Sequence, residues 1–428
     1  MKPTIAPGKG ADVILAPRRA RPAAGKRRRG RKPVRRTLIV IHRWSSLILG
    51  LLLVVQTTSG AILLYHADLF RLSHRAFYQQ TDGPAVVDLD RAVSLVRAED
   101  PDFSVGWVGT DDGIIAVGNT DFTAAYAVDP GTGRINGSVS LTRGVLGLLR
   151  NVHDCAFGCV GYTGTVAALN GNPPLLDITW AALILGVLGL LLVLLAVSGA
   201  IIWWPSLRRM SHGFRVRWRK GRFARDRDLH NVIGIISVPF LLMWGITGAT
   251  LELPAVKDAW LVSTGGATVA ELAGDTFTPR PTPPDTPPIS VTEATDAALR
   301  AMPGRLAYLM LPSASTDYYR VAIASGYSPY EHRAFYSGDI VVYVNSHDAK
   351  DVSVTETGAG RPAANRFYDK LFEPAHFGWL VNGWWRILWL LFGLTPLALA
   401  VTGLSTWLFK SRTRRAKRSR TSSPRPRG

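Results

Sequence analysis

Residues 41–66 read IHRWSSLILGLLLVVQTTSGAILLYH, and residues 229–252 read LHNVIGIISVPFLLMWGITGATLE. Each stretch has a histidine as its second residue, passes through an apolar run and reaches a small-residue/glycine pair. His42 leads to Ser59-Gly60 and His230 to Thr247-Gly248, and both histidine-to-glycine offsets are 18 residues (60 − 42 and 248 − 230). A bilayer is crossed by about 20 apolar helical residues. Two such runs with a histidine at the same edge make a repeated membrane unit, which divides the chain into related halves.

Two further runs complete the pattern. Residues 177–204 contain WAALILGVLGLLLVLLAVSGAIIWW, and 383–409 contain WWRILWLLFGLTPLALAVTGLSTWLF. Ser198-Gly199 is followed by Trp203, and Thr402-Gly403 by Trp407, four residues past each glycine (203 − 199 and 407 − 403). The fold expected is a membrane protein with a four-helix transmembrane bundle, built as a parallel two-fold repeat with its axis along the membrane normal. Its spans are 37–66, 177–204, 229–252 and 383–409. Pro239 should kink the third span without breaking it, since neighbours in a bundle can satisfy the freed carbonyl. The four small-residue/glycine pairs are expected at close helix contacts.

The net charge of +19 is concentrated rather than spread. Basic residues crowd into a tail at 1–36, a loop at 205–228 and a tail at 410–428, the first expected to be disordered. Positive residues flanking spans stay on the cytoplasmic side. The expected topology is therefore a multi-pass protein of the cytoplasmic membrane with both termini inside. Basic tails can also bind polyanions, but beside spans the reading is topology and contact with membrane lipid, and no nucleic acid partner is expected. The first run is too long for a signal peptide and has no A-x-A-like cleavage site, so it reads as a retained anchor.

The segments between spans are of soluble composition and expected outside. In the first (67–147), LDRAVSLVRAEDP has the spacing of an amphipathic helix, followed by strand-like IIAVG and AAYAVD and a DPGTG turn. An interfacial stretch (148–176) leads into the second span. In the second (253–382), a Pro/Thr-rich linker (273–290) precedes the helical VTEATDAALRAMP, then strand-like LAYLMLP, YYRVAIA, RAFYS and IVVYVN. Cys155 and Cys159 are the two cysteines of the chain, and they fall where a disulfide is permitted. The spacing is not C-x-x-C-H, so covalent haem attachment is not indicated.

An ionisable group at membrane depth marks function by default. The repeat brings His42 opposite His230 near the cytoplasmic face and His153 opposite His376 near the outer face. Two imidazoles on one iron make an electron carrier. The four histidines are thus candidate axial ligands of two b-type haems, with Gly50, Gly60, Gly234 and Gly248 leaving room for the macrocycle. His66 competes with His153 for the outer position. His74, His212, His332 and His347 read as loop residues. No P-loop, dinucleotide fingerprint or H-E-x-x-H occurs, so a separate cytoplasmic donor would have to supply electrons. No side chain is assigned a catalytic role.

Several short motifs, in this order, resemble one family. They are His42-Arg43-Trp44 opening an apolar helix, the [ST]-G pairs, His153 after a leucine-rich run and His230 opening the third span. Gly199 to Trp203 followed by Trp204-Pro205, and His376-Phe377-Gly378 before the fourth span, complete the set. Together they resemble the PepSY-associated transmembrane helix proteins, and Tyr126 to Ile135 (YAVDPGTGRI) resembles the strand-turn of a PepSY domain. The resemblance, over about 36–410, implies two extracytoplasmic α+β PepSY-like domains and haem ligation by the four histidines. It also implies reduction of ferric iron or a ferric siderophore outside, making the chain a candidate haem-dependent reductase. Two stretches depart from the pattern: the longer one after His153, with both cysteines, and Val342 to Asp351 where a D-x-x-T-G turn is expected. The alternative is a cofactor-free, membrane-anchored regulatory protein of the peptidase-inhibitor type. A metal transporter is disfavoured, because Gln56 is among few polar groups inside the spans.

Overall fold

The computed structural model describes residues 32–204, 210–272, 277–324, 340–356, 360–381 and 383–422. The first half runs α1 (Lys32–Leu63), α2 (His66–Ser73), α3 (Leu89–Glu99), β1 (Val105–Asp111), β2 (Ile114–Asn119), β3 (Ala124–Val128), β4 (Ile135–Ser140), α4 (Gly144–Cys155) and α5 (Trp180–Trp203). After a short α6 (Met210–Gly213) the order recurs. It runs α7 (Arg222–Glu252), α8 (Pro254–Ser263), α9 (Val291–Ala301), β5 (Arg305–Met310), β6 (Tyr318–Ala324), β7 (Ile340–Asn345), β8 (Asp348–Glu356), α10 (Ala363–Phe367), α11 (Glu373–His376), α12 (Trp385–Gly393) and α13 (Thr395–Ser422).

Among the described residues, four helical segments are long and apolar enough to cross a membrane: Pro33–Leu63, Trp180–Trp203, Arg222–Glu252 and Trp385–Arg415. In α7, Pro239 lies inside an uninterrupted helix. The fourth segment differs from the continuous span expected at 383–409, because it breaks at Leu394 into α12 and α13. Pro396 has no N–H to offer the Phe392 carbonyl, and the Thr395 hydroxyl donates to that carbonyl instead, at 2.6 Å. Helix α13 then continues to Ser422, so much of the stretch expected as a basic tail at 410–428 is helical.

Helices α5 and α7 form the centre of the bundle, with α1 beside α5 and α13 beside α7. Their close approach is made at Gly189 and Gly245. A Cβ on Gly189 would stand 2.6 Å from the Ala249 nitrogen and 2.8 Å from the Gly245 carbonyl. The core around this crossing is aliphatic, with Leu53, Leu188, Leu191, Leu192, Ala196 and Leu241 buried. The [ST]-G pairs expected at helix contacts serve another purpose, described below.

The segments between spans are joined through their strands. Their strands form one antiparallel sheet in the order β4-β3-β2-β1-β5-β6-β7-β8. The join is β1 on β5, with Trp107 opposite Met310, Val108 opposite Leu309 and Gly109 opposite Tyr308. An unpaired first strand in each half would expose a row of backbone donors and acceptors, and mutual pairing removes both edges. Gly109 is required at the join, since a Cβ there would meet the Ala307 carbonyl at 2.6 Å. Helices α3 and α9 share one face of the sheet, where Val93, Val96, Val108, Val117, Ala294, Leu309, Val321 and Val342 are buried together. The other face is floored by alanines 116, 125, 127, 307 and 322, with Trp107 and Tyr308 among them.

Both sheet helices were legible in the sequence, and each starts on a side-chain cap. Asp88 accepts from the Arg91 N–H at 2.8 Å, and Ser290 from the Glu293 N–H at 3.0 Å. Strands β1, β4 and β8 were not identified. The β7–β8 connection is a tight two-residue turn, in which Asn345 Oδ1 accepts from the His347 N–H, replacing the glycine-bearing turn expected there. The strand-like RAFYS, most of the first basic tail and part of the second basic loop lie outside the described residues.

Asp90 ties the halves together a second time. Its carboxylate on α3 accepts the first N–H groups of α9, from Val291 at 2.7 Å and Thr292 at 2.8 Å. Burial works against its ionisation, but the hydrogen bonds from Thr292, Val291 and Ser290 outweigh it and hold its carboxyl below the ordinary value. Asp90→Ala should therefore lower stability by about 1–2 kcal/mol, as for a lost helix cap. A carboxyl whose pKa is depressed in the folded state stabilises above its unfolded pKa and ceases to do so as pH falls through the folded one. The gap in melting temperature between wild type and variant should thus be full at neutral pH and close in acid. An equal gap at both would rule out the ionised carboxylate as the cause.

Candidate functional site

The four histidines singled out from the sequence stand as two pairs, one at each end of the bundle. At the basic end, His42 on α1 faces His230 on α7, with ring centroids 6.5 Å apart. At the sheet end, His153 near the end of α4 faces His376 on α11, with centroids 6.2 Å apart.

Each ring docks on a neighbouring helix at an [ST]-G pair. His42 Nδ1 lies 2.9 Å from Ser198 Oγ on α5. That hydroxyl already donates to the Leu194 carbonyl at 2.6 Å, so it accepts from Nδ1–H. His230 Nδ1 lies 3.1 Å from the Leu399 carbonyl and 3.2 Å from Thr402 Oγ1 on α13. His376 Nδ1 lies 2.7 Å from Thr247 Oγ1, whose hydroxyl donates to the Met243 carbonyl at 2.6 Å. His153 Nδ1 donates to the Gln56 carbonyl at 2.8 Å, one turn before Ser59-Gly60. With the proton on Nδ1 each ring donates to one of these acceptors, Gln56 Nε2 also lying 3.2 Å from His153 Nδ1, and no hydrogen bond involves Nε2 of any of them among the described residues. This tautomer leaves an Nε2 lone pair for a metal.

The glycines make the docking possible. A Cβ on Gly199 would stand 3.3 Å from His42 Cε1, one on Gly403 3.3 Å from His230 Cε1, and one on Gly248 3.7 Å from His376 Cε1. A Cβ on Gly60 would collide with the His153 ring. The expectation that Gly60 and Gly248 make room for a macrocycle is thus revised: they face imidazoles. Gly50 has nothing within 4 Å of its Cβ position, and Gly234 has Leu399 at 3.6 Å.

The outer histidines are also held through their own peptide carbonyls. Gln56 Nε2 donates to the His153 carbonyl at 2.6 Å, and Trp244 Nε1 to the His376 carbonyl at 3.3 Å. Both donors lie 14 residues past the membrane histidine of their half (56 − 42 and 244 − 230). That shared offset was available in the sequence and would have found them, as four [ST]-G pairs for four histidines would have found Ser198, Thr247 and Thr402.

His66 is not part of the outer pair. It opens α2, stacks on Phe70 at 6.0 Å and lines the same cavity, while the ring facing His376 is that of His153. His74 bonds the Phe70 carbonyl and His347 the Thr286 carbonyl, as local structural residues. His332 and the side chain of His212 lie outside the described residues.

A cavity of about 790 Å³ surrounds the outer pair and reaches the alanine-floored face of the sheet. Leu53, Leu188, Leu192 and Leu241 wall it from the bundle, and Trp107, Phe122 and Tyr308 from the sheet. Among the described residues no three His, Cys, Asp or Glu side chains gather as a metal cage. Two opposed imidazoles suit a metal whose other ligands come from a macrocycle. Binding one nitrogen of each ring at about 2 Å needs ring centroids ~6 Å apart, which is what both pairs offer.

The arrangement is that of a helical-bundle membrane protein with two histidine pairs stacked beneath a single sheet. The chain belongs to the family of the PepSY-associated TM region, whose model matches residues 39–410. No curated protein matches the chain.

Proposed function

We propose that this protein carries electrons across the cytoplasmic membrane through two b-type haems, one at His42/His230 and one at His153/His376, and reduces ferric iron or a ferric siderophore outside. The observation carrying this reading is the common state of the four imidazoles. They are opposed in pairs at 6.5 and 6.2 Å, with Nδ1 anchored and Nε2 left as a donor atom.

The concentration of basic residues at the end of His42 and His230 supports a cytoplasmic position for that end. The donor is then a cytoplasmic reductant, and delivery is at the sheet. A bound haem supplies a one-electron iron couple. The chain supplies the rest. Ser198, Leu399, Thr402, Thr247 and the Gln56 carbonyl hold each ring in one tautomer and one orientation. The leucine-lined bundle excludes water from the path. The cavity beneath the sheet gives an outer acceptor access to the second pair. The ferric substrate gains one electron, and the ferrous product, with less charge, is held more weakly by hard oxygen ligands.

The test is a dithionite-reduced minus oxidised absorbance spectrum of the detergent-purified protein, with haem counted per chain. Two b-type haems are expected, together with reduction of a ferric chelate on the sheet side in reconstituted vesicles. A featureless spectrum from haem-supplied cells would overturn the reading and leave the cofactor-free binding protein in its place.

A further inference from the structure

We infer that the Cys155–Cys159 disulfide is a redox-sensitive positioning element for His153, so that reducing it loosens the outer histidine pair and leaves the inner pair untouched. This inference rests on the haem reading for one arm of its test and stands without it for the other.

His153 sits two residues before the end of α4, and the bridge closes immediately after it. Between the cysteines the backbone turns through two successive left-handed non-glycine residues, Ala156 at φ +42° and Phe157 at φ +70°. Side chains rarely adopt this region, and two in a row persist only where the surroundings hold them. Asn151, buried and one turn upstream, is part of the hold. Its carbonyl accepts from the Phe157 N–H at 2.9 Å, its Oδ1 from the Cys159 N–H at 3.0 Å, and its amide donates to the Thr163 carbonyl at 3.1 Å. Thr165 closes the loop on the Cys159 carbonyl. The bridge, Asn151 and His153 thus lie on one helix end, and the ring of His153 reaches from it to Gln56 and Gly60 on α1.

The other half holds its histidine differently. His376 follows a buried Tyr368, whose hydroxyl bonds Thr250 at 2.7 Å on α7, and Lys257 pairs with Glu373 at 3.4 Å. No cysteine occurs there, since the chain has two in all. A reductant therefore acts on one side of one pair. Reduction breaks the Sγ–Sγ bond and adds two electrons and two protons to give two thiols. With a water-soluble phosphine as reductant, the phosphine becomes its oxide, taking oxygen from water. The left-handed turn is then free to relax, and the end of α4 with it.

The experiment uses the full chain in detergent and compares wild type, phosphine-treated wild type and C155A/C159A. In the haem-loaded protein, potentiometric titration and low-temperature EPR should show one of two haem components shifted or lost, falling from two haems per chain toward one, with the other unmoved. In the His42→Ala background the remaining component should carry the whole effect, and in the His376→Ala background none of it. In haem-free protein, amide exchange over 151–159 should quicken at least tenfold on reduction, while the 189–199 stretch of α5 does not change. Two haems with unaltered potentials and EPR signals, or unaltered exchange at 151–159, would overturn the inference. If no form binds haem, the functional reading fails and the exchange experiment alone decides. If C155A/C159A does not fold, phosphine-treated wild type answers both arms.

Discussion

His376→Ala should leave one haem per chain in place of two and abolish ferric-chelate reduction on the sheet side, while the surviving haem keeps a bis-histidine spectrum. The argument is one of supply. The outer pair has one imidazole from α4 and one from α11, and no group of three His, Cys, Asp or Glu side chains placed to hold a metal occurs among the described residues, although His66 and Glu252 also line the cavity. Removing one imidazole leaves His153 without an opposite ligand inside a largely apolar cavity. Partners one shell further out already change metal affinity by about 10–100-fold, so loss of a ligand itself should exceed ~100-fold. The inner pair lies at the far end of helices α1 and α7 and is held by Ser198, Leu399 and Thr402, none of which touches His376. His42→Ala should give the mirror result, with the outer haem retained and no electrons reaching it from the basic end. Because alanine leaves a hole the size of the lost ring, free imidazole added to the His376→Ala protein should restore a share of the second haem. Two haems and normal activity in both variants would end the electron-transfer reading, whatever the spectrum of the wild type.

What the sequence could and could not disclose follows from how local each feature is. The four spans were legible because hydropathy over 20 residues needs no partner. The histidines were legible because they recur at fixed offsets from glycines. Strands such as IVVYVN were legible from β-branched runs. The join of β1 to β5 was not, because VGWVGTD carries two glycines, Gly106 and Gly109, within a strand and looks like a poor one until its neighbour is known. The role of the [ST]-G pairs was read as helix contact for a related reason. Small residues serve close approach of any kind, and only the fold shows that the object approaching Gly60, Gly199 and Gly403 is an imidazole while Gly189 and Gly245 meet backbone. The break at Leu394 had a visible cause in Pro396. Pro239 looks the same in sequence and does not break its helix, which is why the two prolines could not be told apart in advance.

The glycines provide the sharpest separation between a structural and a cofactor-directed role, since their neighbours differ by small, known distances. Gly60→Val should eliminate the outer haem, while Gly50→Val, ten residues earlier on the same helix, should leave both haems in place. At Gly60 the new Cβ would collide with the His153 ring, and that ring cannot swing aside without losing its bond to the Gln56 carbonyl. At Gly50 nothing lies within 4 Å, and valine in a helix differs from glycine by a few tenths of a kcal/mol at most. Alanine substitutions should grade the effect further. Gly248→Ala meets His376 at 3.7 Å, an ordinary contact, and should keep both haems with a slight gain in helix stability of up to about 1 kcal/mol. Gly199→Ala and Gly403→Ala meet their rings at 3.3 Å, tighter than a relaxed contact, and should weaken inner haem binding without abolishing it. Gly60→Ala should be the most severe of the four. Haem content, potential and thermal stability measured on the same preparations distinguish the explanations. If glycine were needed at these positions for helix packing alone, stability and haem content would fall together in every variant. If it is needed to admit imidazole, haem should fall most at 60, less at 199 and 403, and not at 248, while the melting temperature of the haem-free protein stays level or rises.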